Sequence, residues 1–141
     1  MAIEVKIELN DVQATIDKLG AGISNRRPLM QSIAGTMLAA VQQNFEQGGR
    51  PLPWLAPKYR NGAPLMDNGI LKNSITDASD NDHAIVGTNI IYAAIHNFGG
   101  QIKRKSGHIT NMPKREFMIL SAQDKADIFE DVQSYFQQLI K

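Results

Sequence analysis

The chain has 141 residues, a length that suits one domain spanning 1–141 with a core large enough to fold without a metal or a disulfide. It has no cysteine, which excludes disulfide scaffolds, thiolate metal sites and thiol nucleophiles together. Fifteen Lys and Arg against fourteen Asp and Glu leave a net charge of +1, so any contact with nucleic acid has to come from a local patch.

The opening residues alternate. Ile3, Val5, Ile7 and Leu9 point one way and Glu4, Lys6 and Glu8 the other, which predicts a half-buried strand. The acids in this stretch, and the lack of an apolar core, read against a signal peptide, and no apolar run approaches the ~20 residues that span a bilayer. A short helix follows, capped by Asn10 or Asp11, with Val12, Ile16 and Leu19 at helical spacing and Gly20 and Gly22 closing it. Residues 24–47 predict the first long helix. Pro28 sits in its first turn, and Met30, Ile33, Met37, Leu38, Val41 and Phe45 form one apolar stripe.

Residues 48–70 hold four of the six prolines and the only tryptophan, Trp54, and read as a long loop of functional length. One helical turn is predicted over 69–74 and strands over 74–78 and 83–88, joined by a turn rich in Asp, Asn and Ser. Residues 89–97 predict a helix in which Ile91, Ala94, Ile95 and Phe98 share a face, ended by Gly99-Gly100. Residues 100–114 read as a second loop and 116–120 as a strand. The last helix opens with Ser121 and Asp124, a capping-box-like pair, and carries Ile128, Phe129, Val132, Phe136 and Leu139 as its stripe. These elements make an α+β fold: a small antiparallel sheet packed by two long amphipathic helices, with two long loops.

Catalytic patterns are weak. His83, His96 and His108 lie 13 and 12 residues apart, and no pair has the i, i+4 spacing of a helical metal site. No G-x-S-x-G elbow accompanies the serines, so a hydrolase would need a pocket joining His96 to a serine and an acid. Asp77, Asp80 and Asp82 alternate as in a calcium loop but lack its central Gly and closing Glu. The expectation is a protein with no catalytic, metal or cofactor site.

Charge is unevenly spread. Lys103, Arg104, Lys105, His108, Lys114 and Arg115 cluster between 101 and 115 with no acid among them, whereas Asp124, Asp127, Glu130 and Asp131 make the last helix acidic. A basic loop and an acidic helix on one domain suit a head-to-tail contact between copies. The basic loop also suits DNA, which keeps open a small nucleic-acid-binding or regulatory module. Trp54, Lys103, Arg104, Lys105 and Arg115 are the candidate interface residues, with Trp54 alternatively an anchor for its loop.

Four blocks occur in a recognisable order: FEQGGRPLPWLAP (45–57), LMDNGILKNSI (65–75), VGTNIIYAAIHNFGG (86–100) and PKREFMILS (113–121). They resemble the phage virion morphogenesis family, the Mu-like tail completion proteins, over roughly residues 28–140. One departure is Glu116 before Phe117, where the family often has Pro. The resemblance implies a non-enzymatic structural protein at the head-proximal end of a phage tail. It would act in the virion after assembly in the host cytoplasm, as a ring of six or another number of copies. The partners implied are the tail tube, the sheath or the head–tail connector, with DNA passing the lumen. In the central block Tyr92, Ile95 and Phe98 are expected to pack a short helix on the sheet. Tyr92 and His96 supply polar handles, and Gly99 and Gly100 a sharp exit.

Overall fold

The computed structural model describes residues 5–7 (backbone only), 25–58, 62, 64–66 and 69–139, the last again as backbone. Its elements are β1 (Val5–Ile7), α1 (Arg27–Glu46), α2 (Ile70–Ser74), β2 (Thr76–Ser79), β3 (Ala84–Thr88), α3 (Ala93–Phe98), β4 (Gly100–Lys103), β5 (Ile109–Met112) and α4 (Ala122–Leu139). β1, β3 and β2 form an antiparallel sheet in that order, with Val5 opposite Thr88 and Asp77 opposite Val86. β4 and β5 form a separate hairpin. The rest of the opening strand expected over 1–9 and the short helix expected after it lie outside the described residues.

The period of α1 explains the core. Met30, Ile33, Met37, Val41 and Phe45 recur every three or four residues and, with Leu29, are all buried. α1 lays this stripe across β2 and β3, and α4 packs on α1. From α4, Ile128 and Val132 join the core while Phe129 stays 40% exposed, so its buried stripe is narrower than the sequence implied. Ser121 and Asp124 form the expected reciprocal cap. Asp124 N–H donates to Ser121 Oγ (3.1 Å) and Ser121 N–H to Asp124 Oδ2 (2.8 Å).

Two expectations are overturned. Residues 100–114 are not a loop throughout. Arg104 N–H donates to His108 O (2.8 Å) and Gly107 N–H to Arg104 O (2.9 Å), with Gly107 at φ +86°. This is the three-residue hairpin turn that ends in a left-handed glycine, and it folds Gln101–Lys103 back on Ile109–Asn111. Residues 116–120, conversely, form no strand. Their backbone runs through the interior, with Phe117, Met118 and Leu120 buried, and finds side-chain partners in place of a neighbouring strand. Asn97 Oδ1 accepts from Phe117 N–H (3.1 Å) and Met118 N–H (3.0 Å). Asn44 Nδ2 donates to Phe117 O (2.7 Å) and Ile119 O (2.9 Å). Both asparagines are almost fully buried. An amide carries an acceptor and two donors on one short stem, so it substitutes for strand neighbours at single points.

Replacing Asn97 by Ala strands two buried N–H groups. Asn97→Ala is therefore expected to cost about 2–4 kcal/mol in urea unfolding, against less than about 0.5 kcal/mol for the exposed control Gln43→Ala.

Candidate functional site

Two arms leave the core side by side. The first is the Pro-rich segment after α1. The helix closes with a Schellman pair, Gly49 N–H to Asn44 O (2.8 Å) and Gly48 N–H to Phe45 O (3.2 Å). Trp54 N–H then donates to Gly48 O (2.7 Å), turning the chain back. Gly49 has φ +115°, and a Cβ there would lie 2.7 Å from both Leu52 O and Trp54 N, so the close approach requires glycine. Trp54 is half-buried and meets Phe45 edge to face, with centroids 5.8 Å apart. It anchors its arm, which leaves Leu52 and Leu55 as the exposed apolar groups, at 76% and 68%.

The second arm is the β4–β5 hairpin, in which residues 100–109 are all exposed. Its base is set by Gly99, at φ +71°, where a Cβ would meet Lys114 N at 2.9 Å. Gly100 also has positive φ, and its Cβ position lies 3.1 Å from Ile95 Cδ1. Lys103, Arg104 and Lys105 stand at the far end of the hairpin and form no ion pair among the described residues. Ile102 and Ile109 are exposed on opposite faces, because Ile102 pairs with Thr110 and Lys103 with Ile109.

Between the arms lies a cleft of about 1250 Å³, walled by Leu55–Lys58 and by His108–Pro113, with Tyr92, His96 and Arg115 at its base. Arg115 sits differently from Lys103, Arg104 and Lys105. It is 7% exposed, and its guanidinium donates to Leu55 O (2.9 Å) and Ala56 O (3.2 Å) while its N–H donates to His96 O (2.9 Å). The cation expected on an interface thus ties the Pro-rich arm to α3 from inside. A guanidinium does this because its planar fork matches two neighbouring carbonyls.

The expected packing of α3 is also corrected. The helix starts at Ala93, and Ile91, Tyr92 and Phe98 are exposed at 65%, 43% and 64%. Ala93 and Asn97 face inward instead, because a six-residue helix buries only one narrow row. Tyr92 meets His96 edge to face at 5.9 Å, and His96 Nδ1 is buried with no hydrogen bond among the described residues.

The acidic face of α4 is smaller than the sequence implied. Asp124 is buried and pairs with Arg50 Nη2 (2.7 Å), which also donates to Ala40 O, and Arg50 Nε donates to Asn44 Oδ1 (2.7 Å). Asp131 accepts from Thr36 Oγ1 (2.6 Å). On α4 this leaves Glu130 exposed and Asp127 half-buried, while Asp77, Asp80 and Asp82 are all exposed on β2 and its turn. Asp80 accepts from the N–H groups of Asp82 and His83, which hold its carboxyl below the ordinary range, and Asp82 pairs with Arg26. The aspartates that alternate as in a calcium loop therefore build a turn. The signal for Arg50 and Asn44 was weak, since one buried Asn and one loop Arg look like surface residues until the fold joins them.

Burial, and then the Arg115 charge, hold the His96 imidazole below its ordinary value of 6.5. The unfolded chain takes up that proton at the ordinary value while the folded chain resists it. This contribution to stability is intact above pH 6.5 and is lost as pH falls below it toward the lower value of the folded state. Between pH 7.5 and 5.5 the melting temperature should therefore fall further for the wild type than for His96→Gln. Arg115→Ala should lower stability by roughly 1.5–3 kcal/mol in urea and speed tryptic cleavage after Lys58, through loss of charge-assisted bonds to the arm.

Comparison with known proteins places the chain among relatives. The sequence profile of the phage virion morphogenesis family matches residues 7–137. The chain is 51% identical over 140 residues to the Mu-like prophage FluMu G protein 2 of Haemophilus influenzae, covering 97% of this chain and 99% of that one. It is 28% identical over 147 residues to the putative capsid assembly protein G of Escherichia phage Mu, covering 92% and 91%. No solved structure matches it. With the profile and a full-length relative in accord, the chain belongs to the phage virion morphogenesis family.

Proposed function

We propose that this protein is a non-enzymatic tail completion component that acts as a ring of identical copies at the head-proximal end of a phage tail. Its partners there are the tail tube, the sheath or the head–tail connector. The observation that carries the reading is the pair of arms. They hold Leu52, Leu55, Ile102 and Ile109 out on projecting segments around a cleft, while the core beneath them is closed. Apolar groups on projecting segments cost a monomer solubility and are repaid when a partner covers them. Membership of a morphogenesis family, and the capsid-assembly name of the phage Mu relative, support a place where virion parts join. No helix among the described residues is long and apolar enough to cross a membrane.

Lys103, Arg104 and Lys105, exposed and without ion pairs among the described residues, favour a second reading in which the hairpin touches DNA. Salt-dependent retention of the isolated protein on duplex DNA would mark that reading.

A phage or prophage with an early stop codon in this gene should yield filled heads and tails that remain apart in negative-stain micrographs. Complementation with the intact gene should restore joined particles. Normal joined virions in the absence of the protein would overturn the proposal.

A further inference from the structure

The ring reading leaves open how one copy meets the next, and the two sheets contain an arrangement that answers it. β2 is an edge strand whose four residues are all exposed. The bond from Asp80 N–H to His83 O (3.0 Å) fixes the alternation along the β2–β3 ladder. Residues two apart share one direction in an antiparallel pair, so Asp77 and Ser79 turn their backbone N–H and C=O groups away from β3. The same logic applies to the hairpin. The bond from Arg104 N–H to His108 O makes Gln101 and Lys103 the β4 residues whose backbone groups face outward. The far edge of β5 borders the cleft and the Pro-rich arm, whereas β4 is exposed along its length.

Charge selects among the pairings these edges allow. The β2 edge and its turn carry the exposed acids Asp77 and Asp80, beside Asp82, whose charge Arg26 already meets. The β4 edge and its turn carry Lys103, Arg104 and Lys105, also all exposed. Two β2 edges would set aspartates against aspartates, and two β4 edges cations against cations, and like charges opposite one another destabilise a strand pair. Only β2 against β4 is attractive. The parallel arrangement also brings the two oppositely charged turns to the same end.

We propose that β4 of one copy docks along β2 of the next, so that the hairpin continues its neighbour's three-stranded sheet into five strands. The contact rests on the ring reading above and gives it a mechanism. It uses a different patch on each partner, so it propagates head to tail and closes into a ring when the rotation per copy allows. It also accounts for a two-stranded hairpin standing out from the core, since such a hairpin is marginal alone and gains from added strands. The acidic partner of the basic turn is thereby the β2–β3 turn and not the last helix.

Asp77 and Lys103 take no part in holding the fold, so they are clean probes. In sedimentation at moderate salt the wild type should assemble beyond a dimer. Asp77→Lys and Lys103→Asp should each weaken association at least tenfold with unchanged circular dichroism, and the two together in one chain should restore it. With both turns at the same end, Ala78 of one copy lies beside Ile102 of the next; because the chain lacks cysteine, Ala78→Cys with Ile102→Cys can be joined by a short bismaleimide, and a ladder of linked copies longer than a dimer is expected. Assembly that ignores both charge reversals, a swap that fails to restore it, or the absence of a ladder would overturn the strand pairing while leaving the ring standing. A wild type that stays monomeric at every concentration, and beside purified tails, would overturn the ring reading as well.

Discussion

A stretch of backbone crosses the interior of this protein with no strand beside it. Residues 115–120 must be buried, because Phe117 packs on Phe45 at 5.1 Å and fills the centre of the core. Burying a peptide group without a hydrogen bond costs free energy that no added apolar contact at the same atom can recover. Asn97 above and Asn44 below meet that requirement, and the rest of the structure is arranged to keep those two amides in place. Asn44 is fixed by Arg50, Arg50 by Asp124, and Asp124 by the cap of α4. A chain of polar contacts therefore runs from the Pro-rich arm through the core to the last helix. Buried networks of this kind are stable when every member is satisfied and costly when one is removed.

The same segment positions the surfaces that face outward. Arg115 enters it from the α3 side and grips the carbonyls of Leu55 and Ala56, so the first arm is held by the strand-like segment as well as by Trp54. The hairpin enters and leaves through Gly99 and Lys114, so near each other that a Cβ on Gly99 would meet Lys114 N at 2.9 Å. Core and arms are thus one mechanical unit at their roots, while the far end of the hairpin, Lys103 to Lys105, is exposed. That division suits a morphogenesis protein, whose fold has to be finished before its partners arrive.

Much of this was legible in the chain itself. The stripe of α1 and the capping pair of α4 announce themselves by periodicity and by residue type, because local physics sets both. Trp54 was open between anchor and contact, and its T-shaped packing on Phe45 favours the anchor. The hairpin was also written in the sequence, as Ser106-Gly107 between two short runs holding Ile102 and Ile109. The basic residues around it drew attention to solvent and away from strand pairing. Arg115 and Asp124 were misplaced for a common reason: a charged residue reads as exposed unless its partner is known, and the partners here lie 60 and 74 positions away.

The sequence by itself determined the two long helices, the β2–β3 turn, the absence of thiol chemistry and the family, since each depends on near neighbours or on residue identity. Only the tertiary structure decided that 116–120 is not a strand, that Asn44 and Asn97 replace its neighbours, and that Asp124 and Arg115 are internal. It also drew Asp124 inside and left Asp77, Asp80 and Asp82 exposed along the β2 edge and its turn. The reason is physical: a buried polar group's partners are chosen by distance in space, and that choice leaves no trace in the spacing along the chain.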